Sequence, residues 1–231
     1  MRSAMRAVAI GLFASGLGIA VLSAQPEPAR TLEDIQRLNR SVADSYVALH
    51  GEWVPSMGIH WGVPGPAVVI AVADGGVVAA YEIIVPEQAG WFAWFDQPEG
   101  EPMVHPELGR VYTQHIYVAL PESVQPGTTP TFVDMTWSEL VAVNPGLADY
   151  VRISEWVPRM GYHYGPAEPG PALIVMVGSN DEVFGFEIIQ PADLGWLPWF
   201  DQPEGEPMEF PFGLAYTQHV YVMDPAGIHA R

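Results

Sequence analysis

His60, Glu82 and His115 in the first half of this 231-residue chain are matched by His163, Glu187 and His219 in the second. Imidazole nitrogens and a carboxylate oxygen are the donor set that holds Zn, Cu, Mn or Fe, and three protein ligands leave part of the coordination shell open. Met57 and Met160 stand three residues before His60 and His163 and would add thioether character if the ion were copper. The same side chains have two other chemistries: a hydrogen-bonded network that satisfies polar groups in a core, or an acid/base pair in a pocket. No compact HxH or HExxH spacing is present, so spacing alone leaves the three readings open.

What singles these residues out is a repeat. Glu52-Trp53-Val54-Pro55 with Met57, Gly58 and His60 returns 103 residues later as Glu155-Trp156-Val157-Pro158 with Met160, Gly161 and His163. Trp94 to Met103 is identical to Trp199 to Met208, and Tyr112-Thr113-Gln114-His115 returns as Tyr216-Thr217-Gln218-His219. The blocks keep their order, and a period near one hundred exceeds that of solenoid repeats, so a small domain has been duplicated. His50, His105 and His229 have no histidine counterpart.

The elements that must position the triads follow from pattern. Ala67 to Ala73 and Val77 to Val85 are rich in β-formers around Asp74-Gly75-Gly76, and Ala172 to Val177 with Val183 to Ile189 repeat the hairpin. Pro86 and Pro191 stop the second strands, since proline cannot donate to a ladder. Glu82 and Glu187 sit inside these apolar strands, where a carboxylate must be paired, hydrogen-bonded or bound to a cation. A last strand is expected over Val111 to Leu120 and over Ala215 to Met223. Alternation puts Thr113, His115 and Tyr117 on one face, as it does Thr217, His219 and Tyr221, with Gln114 on the other face.

Ahead of the first copy, Leu32, Ile35, Leu38, Val42, Tyr46 and Leu49 form one stripe of a helix from Thr31 to Leu49, capped by Thr31 with Asp34 and closed by Gly51. A shorter helix is expected over Trp137 to Val143, capped by Thr136 or Ser138. The tryptophan stretch suggests a helical turn. The acidic loop that follows, with Asp96, Glu99 and Glu101 or Asp201, Glu204 and Glu206, offers oxygen ligands for calcium but lacks the EF-hand spacing. Its identity in both copies points instead to a fixed turn anchored by Trp94, Phe95, Trp199 and Phe200. The expected class is α+β and β-dominated: a tandem duplication of a small antiparallel sheet or partial barrel, preceded by an N-terminal helix. The expected division is residues 1–24 leader, 25–51 helix, 52–121 first repeat, 122–154 linker with a short helix, 155–225 second repeat and 226–231 tail.

Composition bounds the rest. Acids number 27 against 9 basic residues, there is no lysine, and the net charge is −18, so phosphate backbones are repelled and nucleic acid is excluded as a partner. Arg2 and Arg6 precede an apolar run from Ala7 to Leu22 and the small residues Ser23-Ala24, the pattern of a cleaved signal peptide. The run is too short and glycine-rich for a membrane span, which needs about 20 apolar residues. A secreted, periplasmic or cell-envelope protein with no span after cleavage is therefore expected. The absence of cysteine excludes thiol catalysis and disulfides. No GxSxG elbow, phosphate loop or dinucleotide fingerprint occurs in the mature chain.

The Pro-x-Met-Gly-x-His-Tyr/Trp block at Pro55 to Trp61 and Pro158 to Tyr164, followed by a hairpin carrying Glu82 or Glu187, resembles an uncharacterised domain family. That family is named for a Thermus protein controlled by an extracytoplasmic sigma factor and its anti-sigma partner. The resemblance covers Glu52 to Pro121 and Glu155 to Pro225. It implies a β-rich exported protein that assembles into a homo-oligomer, and it assigns no catalytic residue. The combined expectation is an exported, self-assembling, non-catalytic protein that binds a small ligand or metal ion through the His/Glu set of each repeat. The alternatives are a metal-dependent enzyme of cupin-like logic and a purely structural envelope assembly.

Overall fold

A computed structural model of the chain describes residues 27–49, 51–63, 65–210 and 213–228. The expected signal peptide at 1–24 lies outside the described residues, as do His50 and His229. The first half forms six strands: β1 (Val47–Ala48), β2 (Ile59–Gly62), β3 (Val69–Ala73), β4 (Val77–Pro86), β5 (Met103–His105) and β6 (Gly109–Tyr117). The second repeats them as β7 (Val151–Arg152), β8 (Tyr162–Gly165), β9 (Leu173–Val177), β10 (Val183–Pro191), β11 (Met208–Phe210) and β12 (Gly213–Tyr221). Each set makes one antiparallel sheet, in the order β1-β2-β3-β4-β6-β5 and its equivalent, curled into a half-barrel. The fold is thus β-dominated α+β, a duplicated partial barrel.

β3 and β9 read Val-Ile-Ala-Val-Ala and Leu-Ile-Val-Met-Val and are buried on both faces, as central strands without alternation should be. The opposite faces of each sheet meet different surroundings. Ile70, Val72, Tyr81, Ile83 and Ile116 join Leu173, Val175, Phe186, Ile188 and Val220 in one core shared by both halves, where Tyr81 stacks on Phe186 at 4.1 Å between ring centroids. Glu82 and His115 alternate with these residues, so the triads lie on the faces turned away from the shared core.

The halves are also cross-linked by buried polar groups. The Gln114 carbonyl accepts from the Leu173 backbone N–H at 2.8 Å and its amide donates to the Tyr150 hydroxyl. In the mirror arrangement Gln218 accepts from Val68 N–H at 2.9 Å and donates to the Tyr46 hydroxyl at 3.0 Å. The tyrosine hydroxyls then donate to the carbonyls of Leu173 and Val68. Every polar atom of these two amide-phenol pairs has a partner, which a buried network requires.

The helix expected over Thr31 to Leu49 is instead two helices and a strand: α1 (Leu32–Leu38), α2 (Arg40–Ser45) and then β1. Asn39 breaks it. Its backbone is extended, its amide donates to the carbonyls of Ile35 and Tyr221, both at 2.8 Å, and its carbonyl accepts from Tyr221 N–H at 2.7 Å. Ser45 ends α2, so Gly51 has no part in closing a helix. Thr31 caps α1 by accepting from Asp34 N–H, as its sequence pattern predicts. α3 (Trp137–Val143), capped by Thr136, ends at Asn144, which grips Tyr117 of the first half in the same way. The equivalence of the halves therefore reaches back to Thr31 and Thr136, well ahead of the Glu-Trp-Val-Pro blocks. In the segment joining them, Pro121–Ser123 form a 3-10 turn and Phe132 bridges to Ala119.

Candidate metal centre

Backbone register brings the first triad together. Glu82 on β4 pairs directly with His115 on β6, and with Val69 on β3, while His60 on β2 pairs with Ala71 two residues further along β3. All five residues face one side, and small Ala71 leaves space for the imidazole to lean across β3 toward the carboxylate. The second triad repeats this through Glu187 opposite His219 and Ile174, with His163 opposite Met176.

The turn before each first histidine needs an unusual backbone. Val54 and Gly58 exchange two backbone hydrogen bonds, and Ser56 between them has φ 66°. The matching turn puts Arg159 at φ 69°. A side chain on Gly58 would meet the Val72 carbonyl oxygen at 2.1 Å, and one on Gly161 the Val177 oxygen at 2.5 Å. The Met-Gly pair thus packs the turn against β3 or β9 so that β2 or β8 opens with its histidine on the triad face. Gly62 and Gly165 permit close packing of their strands: Cβ positions there would meet Leu49 and Val69, or Ile174 and Ile153.

The six side chains are at most 10% exposed. His60 Nε2 stands 3.4 Å from Glu82 Oε2, and His115 Nε2 stands 3.1 Å from Glu82 Oε1. The second set gives 3.4 Å for His163 Nε2 to Glu187 Oε2 and 3.2 Å for His219 Nε2 to Glu187 Oε1. Within each triad one donor atom per residue lies within 4.8 Å of the others. Ligand bonds of about 2.0–2.2 Å put neighbouring donors of a tetrahedral or octahedral ion roughly 2.9–3.5 Å apart, so each carboxylate–imidazole spacing fits a shared ion.

Distance alone would also suit an imidazole–carboxylate ion pair. In the first triad the fit between the two groups is imperfect: at 3.1 Å from the carboxylate, the buried His115 Nε2 has no well-directed hydrogen bond, and neither has Glu82 Oε2. Such partly satisfied polar atoms are costly to bury, and a cation shared by the three side chains would satisfy them.

The other imidazole nitrogen is held from outside the triad. Asp96 Oδ2 lies 2.7 Å from His115 Nδ1, and Asp201 Oδ2 lies 2.6 Å from His219 Nδ1. A carboxylate there favours a proton on Nδ1 and turns Nε2 toward the other triad members, the support that a metal-binding histidine usually has. His163 Nδ1 has Ser154 Oγ at 2.9 Å. The Asp-Gln-Pro loop is clasped to deliver its aspartate. Asp96 N–H donates to the Thr113 carbonyl at 2.8 Å, Gln97 accepts from Thr113 N–H at 2.7 Å, Trp91 donates to the Gln97 carbonyl at 2.8 Å, and Phe95 stacks on Tyr112. Trp94 reaches across to the Pro171 carbonyl, as Trp199 does to Pro66. The expected anchoring by these aromatics is what the structure shows. Among the described residues the only groups of three or more metal-capable side chains are the two triads, so the loop acids do not gather into a calcium site.

Burial alone would lower the basicity of His115, but the Glu82 carboxylate and the Asp96 hydrogen bond outweigh it and the pKa is pushed up to about 10. His219 behaves likewise, up to about 10, under Glu187 and Asp201. Burial lowers His163, and the charge of His219 adds to that against the pull of Glu187. In the metal-free chain one histidine of each site is thus an imidazolium, and an ion would displace its Nε2 proton.

All six residues singled out in the sequence meet in two sites. Asp96, Asp201 and Ser154 support the histidines of those sites, a role that sequence reasoning does not assign them. The signal for the aspartates was their identity in both copies beside anchoring aromatics. Compared with family models, curated proteins and solved structures, the chain matches none.

Proposed function

We propose that this protein is a metal-binding protein with two mononuclear sites, His60/Glu82/His115 and His163/Glu187/His219, each taking Zn, Cu, Mn or Fe. The observation that carries this reading is the gathering of three buried side chains with donor atoms within 4.8 Å of one another, while an aspartate occupies the far nitrogen of His115 or His219. Three protein ligands leave the remaining coordination positions to water or a small ligand. The leader-like start supports an exported protein of the envelope or exterior. The apolar Val47, Val104 and Met208, exposed by 54%, 73% and 48% on the outer strands of the sheets, support self-assembly. The resemblance of the sequence blocks to the Thermus-type family supports the same address. Among the described residues no helix is long and apolar enough to cross a membrane.

A second reading, a metal-dependent enzyme, is favoured by one observation: the second triad borders a cavity of about 800 Å³. An ion there would have room for a substrate on its open side.

The test is metal analysis of untagged protein, stripped and reloaded with Zn²⁺ or Co²⁺. Two equivalents per chain are expected, falling to one in Glu82→Gln and in Glu187→Gln. Less than a tenth of an equivalent of any transition metal in the intact chain would overturn the proposal.

A further inference from the structure

The cavity beside His163, Glu187 and His219 has a chemical character of its own. Its volume of about 800 Å³ lies in the range of small-molecule sites, roughly 300–1,000 Å³. Ile153, Val157, Met160, Ile174, Met208 and Phe210 give it apolar walls. Polar groups gather near the triad: the Ser154 hydroxyl, and the phenol of Tyr221, whose ring stacks on His219 with centroids 5.9 Å apart.

Charge narrows the ligand further. The ionisable side chains on the wall, apart from the histidines and Tyr221, are the carboxylates Glu168, Glu187 and Asp201. No lysine exists in the chain, and no arginine is among the described lining residues. Arg152 stacks over Tyr162, and the exposed Arg159 is felt at Tyr221 without lining the wall. The two charges of a divalent ion are balanced by Glu187 and Asp201, and Glu168 remains. An anion would therefore meet no net attraction and a desolvation cost.

We infer that the second site binds a mid-sized, largely apolar organic molecule, neutral or cationic, that presents one uncharged nitrogen or oxygen donor to the metal. The inference rests on the metal reading above. It sets the ligand class apart from phosphates and carboxylates, which metal sites otherwise attract.

The experiment uses the full-length Glu82→Gln variant loaded with Co²⁺, so that the second triad alone holds the ion, at pH 8. The visible cobalt bands are titrated with 4-phenylimidazole, imidazole and benzoate, and the wild-type chain gives a second reading of the same ranking. Expected is binding of 4-phenylimidazole at least tenfold tighter than imidazole, which lacks the apolar body, and at least tenfold tighter than benzoate, which has the body but carries a negative charge. Equal binding of imidazole, or benzoate as tight as 4-phenylimidazole, in cobalt-loaded protein overturns this inference and leaves the metal proposal standing. Failure of either chain to take up cobalt overturns the metal proposal itself, and this inference with it.

Discussion

Asp96 Oδ2 lies 2.7 Å from the Nδ1 of His115, nineteen residues away in sequence, and Asp201 repeats the contact with His219 at 2.6 Å. The pairing turns a solvent-edge carboxylate into the part that decides which imidazole nitrogen carries the proton. Nε2 is then left to face Glu82, and would be free to take the ion that we propose.

Replacing Asp96 by Asn keeps the shape of the loop and removes the charge. Metal affinity at the first site is expected to fall by about 10- to 100-fold, the usual effect of losing such an orienting partner. Competition with a coloured chelator reads this directly. An unchanged affinity would mean that Asp96 only anchors its loop to Thr113.

Acidity and alkalinity act on the metal-free chain with opposite signs. His115 and His219, raised from 6.5 to about 10, bind protons in the folded state that the unfolded chain has released above pH 6.5. Their contribution to stability is complete below that value and is lost as pH rises toward 10. His163, lowered by burial, disfavours the folded state once pH drops below its ordinary value. Urea midpoints of stripped protein should therefore fall between pH 7 and 10, with a shallower slope in the His115→Gln/His219→Gln variant. A midpoint that is flat or rises over that range contradicts the assignment.

Gln218 has no exposed surface and joins the halves through Val68 and Tyr46. Gln218→Ala strands a buried backbone N–H, at a cost of about 1–3 kcal/mol, and the melting temperature should drop while both metal equivalents stay. Loss of metal together with stability would show that the shared core and the triads are one cooperative unit.

Gly58→Ala places a methyl 2.1 Å from the Val72 carbonyl oxygen at a residue with φ 96°. The turn must shift, so the first site should lose its ion while the second keeps its own. Equal loss at both sites would point to global unfolding instead.

Much of this was legible in the sequence because it is repeated and because the long strands speak clearly. β4 and β10 are apolar runs bounded by turn residues and proline, so Glu82 and Glu187 stood out as buried carboxylates. The strand of His60 was silent: β2 has four residues and glycines on both sides, too little for any periodic signal. In the sequence Asn39 fits one more turn of a helix, since nothing local shows that its amide is taken by Tyr221, 182 residues away. Its match to Asn144 carried that information once Thr31 was aligned with Thr136. The Thr-Gln-His triplet reads clearly only in three dimensions. Thr113 holds the Asp-Gln loop, Gln114 faces the other half, and His115 turns back to the triad.

The most direct test of the central claim is X-ray absorption at the zinc edge of the reloaded chain. Two imidazole nitrogens and one carboxylate oxygen per ion are predicted, at about 2.0–2.2 Å, with half of the signal lost in Glu187→Gln. A shell made only of oxygens, or a signal undiminished by that substitution, would place the ion elsewhere and contradict the assignment of the triads.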